Sequence, residues 1–254
     1  MRDIQTEKAR RSIEIDKVGV KDLRYPIVLW DRAHDNQHTV ANINMYVNLP
    51  HRFRGTHMSR FVEILNKYRR EIAIRNMGAI LKDMKRSLNA ESAHLEIEFP
   101  YFVEKEAPVS REKGLMGYQC RFVGSLTDKV RLHVGVSVPI TTLCPCSKEL
   151  SQSGAHNQRG EVRVLAEFKG LLWIEDLIEL VETCASSPVY SLLKREDEKY
   201  VTEHAYANPT FVEDVVRSVA EKLEHQENVT WYSVEAENFE SIHNHNAYAY
   251  VEKR

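Results

Sequence analysis

Residues 38–50 alternate without interruption: Ala41, Ile43, Met45, Val47 and Leu49 fall on one side, Asn42, Asn44 and Asn48 on the other. A second run, 129–141, does the same with Val130, Leu132, Val134, Val136, Val138 and Ile140. A period of two held this long predicts strands with one dry and one wet face, the habit of antiparallel sheets. Between 59 and 89 the period lengthens. Phe61, Ile64, Leu65 and Tyr68 make one helical stripe, and Met77, Ile80, Leu81, Met84 and Leu88 another, with Asn76 and Gly78 marking a break or kink. Alternation returns at 93–104 and 117–126, and a weaker strand is predicted at 18–31.

The first half thus reads strand, strand, helix, helix, strand, strand, and the second half repeats the order. Strands at 129–141 and 161–169 precede a helix at 174–185. Another helix is predicted near Pro209, with Asn208 as its cap and Phe211, Val212, Val215, Val216, Val219 and Leu223 on its apolar side. Strands at 229–237 and 246–252 follow, while the polar stretches 104–113 and 194–203 read as surface loops. This is an α+β pattern of two modules, 1–127 and 128–254, each with antiparallel strands and both helices on one face. Open strand edges invite pairing with further modules, so closure by oligomerisation is expected.

Charge narrows the function. Lys and Arg number 35 against 37 Asp and Glu, a formal charge of −2 that excludes a protein coating nucleic acid through cationic excess. A local basic pocket for one small polyanion survives. No apolar run reaches the ~18–20 residues of a membrane span, and the opening MRDIQTEKARRSIEID has no apolar secretion core. Four cysteines in 254 residues make no disulfide framework, so a cytoplasmic, reducing setting is expected.

The densest chemical signal follows the strand at 129–141: TLCPCSKE, then GAHNQR. Cys144, Cys146 and His156 offer thiolate and imidazole, both good ligands for a borderline-soft divalent metal. Pro145 stiffens the turn, so one sulfur is expected to bind and the other to lie near; two inert loop cysteines, or a free thiolate nucleophile, are the alternatives. Near the end, SIHNHN carries His243 and His245, of which one is expected to reach the loop. Glu196, Asp197, Glu198 and Glu203 could each complete a site, and spacing does not choose among them. Glu213 reads by itself as a capping box with Thr210. Arg52, Arg54, His57 and Arg60 gather at a strand-to-helix turn suited to a phosphate chain, or to plain solvation. Cys120 and Cys184 read as packing residues.

LCPCSKELSQSGAHNQR, GTHMSRF and DEKYVTEHAYANPTFVEDVVR together resemble the type IB GTP cyclohydrolases, and the likeness runs from DIQTEKARRSIEIDKVGVKDLRYPI to HNHNAYAY. The resemblance implies a tunnelling fold of tandem ββααββ modules, assembled as a homotetramer with active sites between subunits. It implies conversion of GTP and water to 7,8-dihydroneopterin triphosphate and formate, the first step toward folate and related pterins. It implies a divalent metal: manganese or zinc, with iron(II) as a further option. Carried over by motif, Cys144 and His156 become ligands, with Cys146 adjacent as an alternative ligand or proton carrier. Glu198 and His243 complete the metal's surroundings, Glu213 anchors the purine ring, and His57, Ser59 and Arg60 lie near the triphosphate. The rivals are a tunnelling-fold nitrile reductase with a cysteine nucleophile, against which the Cys-Pro-Cys pair with its partnering histidine speaks, and a non-catalytic metal scaffold.

Overall fold

The computed structural model describes Gln5, Glu7 and residues 11–68 and 72–254; the other positions of the polar N-terminal segment lie outside the described residues. The elements run β1 (Ile15–Asp31), β2 (Asp35–Leu49), α1 (Met58–Tyr68), α2 (Ile74–Ser87), β3 (Ala93–Glu106), β4 (Lys113–Leu126) and β5 (Val130–Leu143). Then come α3 (Pro145–Leu150), β6 (Asn157–Phe168), α4 (Ile174–Glu182), β7 (Ser187–Pro188), α5 (Arg195–Ala207), α6 (Val212–Glu224), β8 (Val229–Asn238) and β9 (Ala247–Glu252). The strands form one nine-stranded sheet in the order β1-β2-β3-β4-β5-β6-β8-β9, with β7 pairing β5.

This corrects the expected pair of ββααββ modules of a tunnelling fold. The second half inserts α3, β7 and α5 into that order, and the strand path does not stop between the halves. β3, β4 and β5, fourteen residues each, follow one another in that path, so no sheet ends at the middle of the chain. Two compact units are present: one takes residues up to Pro100 and 121–133, the other 101–120 and 134–254.

In the first unit the alternation of β2 is obeyed, with Ala41, Ile43, Met45 and Val47 buried. Phe61 and Leu65 of α1 and Met77, Ile80, Leu81 and Met84 of α2 are buried as well. β1 is longer than its weak sequence signal, and its pairing with β2 slips twice. Between the two slips Gly19 is obligatory, because a Cβ there would sit 1.9 Å from the Met45 carbonyl oxygen. Asp83 of α2 is buried and accepts hydrogen bonds from Lys67 Nζ, Tyr68 Oη and Arg86 Nη2.

In the second unit the covered face carries Val134, Val136, Val138 and Ile140 from β5, Val162, Val164 and Ala166 from β6, and Tyr232, Val234 and Ala236 from β8. Leu177 and Val181 of α4 and Val215, Val219 and Leu223 of α6 are buried too. The stretch 194–203, expected as a loop, is mostly the helix α5. It has no apolar stripe to betray it, since only Asp197 and Ala205 are buried. Asp197 holds the helix start: its carboxylate accepts from the N–H groups of Val109, Ser110 and Lys194 and from Ser110 Oγ. α6 begins at Val212 instead of Pro209, and Asn208 closes α5 instead of capping α6. Thr210 N–H is taken by Leu143 O, which draws that connector out of helical geometry.

Cys120 and Cys184 are buried, and desolvation pushes both thiols above their usual range, in keeping with packing roles. Among the described residues no helix is long and apolar enough to cross a membrane.

Asp83 gives a testable pH dependence. The hydrogen bond from Lys67, opposed by burial and joined by Tyr68 and Arg86, holds its carboxyl below the usual range. A group depressed on folding stabilises while ionised, above the unfolded carboxyl pKa of ~4, and the benefit fades as pH falls through the folded value. Lys67 is largely exposed, so Asp83→Asn should cost about 1 kcal/mol at pH 7. Urea melts should show this gap closing below pH ~4; a gap indifferent to acid would make the effect one of packing.

Candidate active site

A cavity of about 250 Å³ opens at one end of the second unit's covered face. Its walls include Cys144, His156, Glu213, Glu240, His243 and His245. Three backbone hydrogen bonds assemble it. Thr210 N–H donates to Leu143 O (3.1 Å), bringing the start of α6 beside the end of β5; Cys144 N–H donates to His156 O (3.1 Å), closing the loop between the two sequence motifs; and Phe239 N–H donates to Arg159 O (2.8 Å), seating the turn after β8.

Cys144 is the cap of the short helix α3: Pro145 occupies the first turn, and Ser147 N–H points at Cys144 Sγ (3.4 Å). Ser147 Oγ in turn accepts from His156 N–H (3.1 Å), a second tie between thiol and imidazole segments. The His156 ring is oriented from behind. Its Nδ1 lies 3.0 Å from Gln158 Oε1, an atom that can only accept, a contact that suits a proton on Nδ1 and leaves Nε2 as the nitrogen for a ligand. Gln158 is itself fixed, buried and donating through Nε2 to the buried Thr142 Oγ1 at 2.8 Å. A hydrogen bond that pins one imidazole nitrogen and leaves the other is the usual support of a metal-binding histidine. From the β8–β9 turn, the rings of His243 and His245 stack with centroids 5.0 Å apart.

The family described as Type I GTP cyclohydrolase folE2 matches residues 1–249. Proteins named GTP cyclohydrolase FolE2 are 63% identical in Syntrophus aciditrophicus, over all of both chains, and 62% identical in Syntrophotalea carbinolica, over 99% of this chain and 95% of that one. The chain belongs to the FolE2 family of GTP cyclohydrolases. Among solved structures, a mutant urate oxidase of Bacillus sp. TB-90 superposes with a TM-score of 0.56 at 7% identity, over 94% of this chain and 99% of that one. Uricase from Arthrobacter globiformis gives 0.51 at 7% identity, over 94% and 92%. That likeness concerns the fold alone. It corrects the resemblance as drawn from the sequence: membership is in FolE2, and the architecture is the uricase-like, mostly antiparallel sheet in place of the tunnelling-fold ββααββ tandem of a GTP cyclohydrolase I.

The FolE2 chain brings together four of the residues singled out by sequence: Cys144, His156, Glu213 and His243 all line the cavity. His245 joins His243 there, where only one of the two was expected. Cys146 is exposed on α3 and Glu198 is exposed in the first turn of α5, and neither is part of the lining. His57, Ser59 and Arg60 belong to the first unit; Arg60 Nη1 donates to Ser87 O (2.7 Å) at the end of α2. Among the described residues, no three His, Cys, Asp or Glu side chains converge as a closed metal cluster.

Sequence reading quoted Gln158 within GAHNQR without a role and passed over Asn238 and Glu240. For the first two a signal existed. β6 buries Gln158, Gly160, Val162, Val164 and Ala166 in alternation, and β8 buries Tyr232, Val234, Ala236 and Asn238. A polar residue in the apolar phase of a strand marks a special position.

Glu213 is the second residue of α6, exposed and lining the cavity, and the helix has no side-chain cap. The expected Thr210 capping box is not formed: Thr210 Oγ1 donates to Asn208 O instead (3.1 Å). Glu213→Ala should therefore leave stability within about 0.5 kcal/mol of wild type. A thermal melt shifted by more than a few degrees would restore a structural role.

Proposed function

We propose that this FolE2 chain converts GTP and water to 7,8-dihydroneopterin triphosphate and formate with a divalent metal. One observation carries the reading: a thiol, imidazoles and a free carboxylate from separate motifs share one cavity in a chain of this family.

The donor set suits manganese, zinc or iron(II) in chemistry. Cys144 Sγ and His156 Nε2 would hold the ion, with His243 as a further ligand from the same cavity; Glu198 of α5 and Cys146 of α3, which stand outside that lining, are proposed as a further and an alternative donor. When bound, such an ion acidifies water to near neutrality and so supplies the hydrolytic power. The chain's own residues do the rest. Gln158 holds His156 in the tautomer that leaves Nε2 available. Glu213 offers two acceptor oxygens to the guanine N1–H and 2-amino group, a parallel pair of donors that matches a carboxylate. Imidazole is the side chain suited to passing protons near neutral pH, and His243 and His245 stand on the same wall for the ring-opening and closing steps. His57, Ser59 and Arg60 are proposed for the triphosphate.

The proposed setting is the cytoplasm, in keeping with four free thiols. A homotetramer is proposed as the working form; the strand path ends on β1 and β9, whose open edges suit pairing between copies.

Protein loaded with manganese or zinc should release formate from GTP and yield a fluorescent pterin on oxidation. Inertness of both preparations would refute the cyclohydrolase reading. Glu213→Ala should lower turnover at least a hundredfold. Metal content measured by mass spectrometry should fall about tenfold in Cys144→Ala and less in Cys146→Ala; equal losses would mean both sulfurs ligate.

A further inference from the structure

The floor of the cavity holds an unsatisfied amide. Asn238, the last residue of β8, is 3% exposed and lines the cavity, and its Oδ1 is fully buried without a hydrogen-bond partner. The contrast with its neighbours is sharp. Thr142 and Gln158, the polar residues that end the covered rows of β5 and β6, bond to each other, and Gln158 bonds to His156. Asn238 alone of these three is left out.

Its seat is built for it. Asn238 pairs with Gly160 across the β6–β8 ladder, and a Cβ on Gly160 would lie 2.7 Å from Asn238 Oδ1 and 2.9 Å from Glu237 O. Glycine at 160 thus makes the room into which the carboxamide oxygen is pressed, and the amide nitrogen is the end left for the cavity. Burying a carboxamide oxygen without a partner is costly. Ala236, one step back in the same row, shows that a small apolar side chain fits this face.

We propose that Asn238 is a substrate-reading residue whose side-chain N–H donates to an acceptor on the purine ring, the 6-carbonyl or a ring nitrogen. This rests on the GTP reading above and deepens it. Glu213 can bind only the donor groups of guanine; the acceptor groups need a donor, which a carboxamide N–H supplies. Together the two side chains would recognise a ring bearing both kinds.

The test measures GTP binding by calorimetry to chelator-treated protein, and KM and kcat with manganese-loaded protein. Asn238→Ala and the isosteric Asn238→Asp, which has no N–H, should each weaken GTP binding or raise KM about tenfold or more. The melting temperature of Asn238→Ala should not fall, because it removes an unpaired buried group. Gly160→Ala, which displaces the carboxamide, should weaken GTP likewise. Wild-type affinity and KM in Asn238→Ala, or a loss that only tracks a lower melting temperature, would overturn the assignment while leaving the cyclohydrolase reading intact. Wild-type protein that neither binds nor converts GTP would end both.

Discussion

The pleat of the sheet is the constraint on which the site depends. Alternate residues of β5, β6 and β8 must face the same side, and that side is buried over most of its length by Val, Ile, Ala and Tyr. The same alternation carries Thr142, Gln158 and Asn238 beneath the surface at the strand ends, where they would otherwise be free to seek water. A buried polar group must find a partner, so these three residues either bond to each other, orient a neighbour, or wait for a ligand. The cavity is where the apolar row of the sheet turns polar.

From that floor the chemistry is layered outward. Thr142 fixes Gln158, Gln158 fixes the His156 ring, and the Cys144–His156 backbone bond keeps thiol and imidazole on one rim. Glu213 lines the same cavity from the second position of α6, which starts late, at Val212, and no cap bond occupies its carboxylate. The energetics favour this division. Side chains that orient others are buried and paired, whereas His243, His245 and Glu213 stay exposed and keep their hydrogen-bonding capacity for a ligand.

Much of the fold was legible in period and length. The dry faces of β2 and β5 and the stripes of α1, α2, α4 and α6 follow directly from positions of apolar residues. α5 was not legible, because a helix fastened by one buried carboxylate and otherwise solvated has no apolar period to read. The reading of a ββααββ tandem failed for a related reason. Strand order along a sheet is decided by which edges pair, and period-two patterning says which face a residue occupies but not which strand lies beside it.

By itself the sequence determined what kinds of groups the protein has to work with and where the chain buries its apolar faces. Donor type is a property of the residue, and alternation is a property of neighbours along the chain, so Cys144 and His156 could be named without coordinates, whereas Glu213 and the choice of His243 came from the family resemblance. Only the tertiary structure decided that these four share a cavity, that Glu213 is uncapped, and that Gln158 and Asn238 stand behind them. Those are relations between residues up to about a hundred positions apart in the chain, and they arise from strand pairing and three backbone hydrogen bonds that no local pattern encodes.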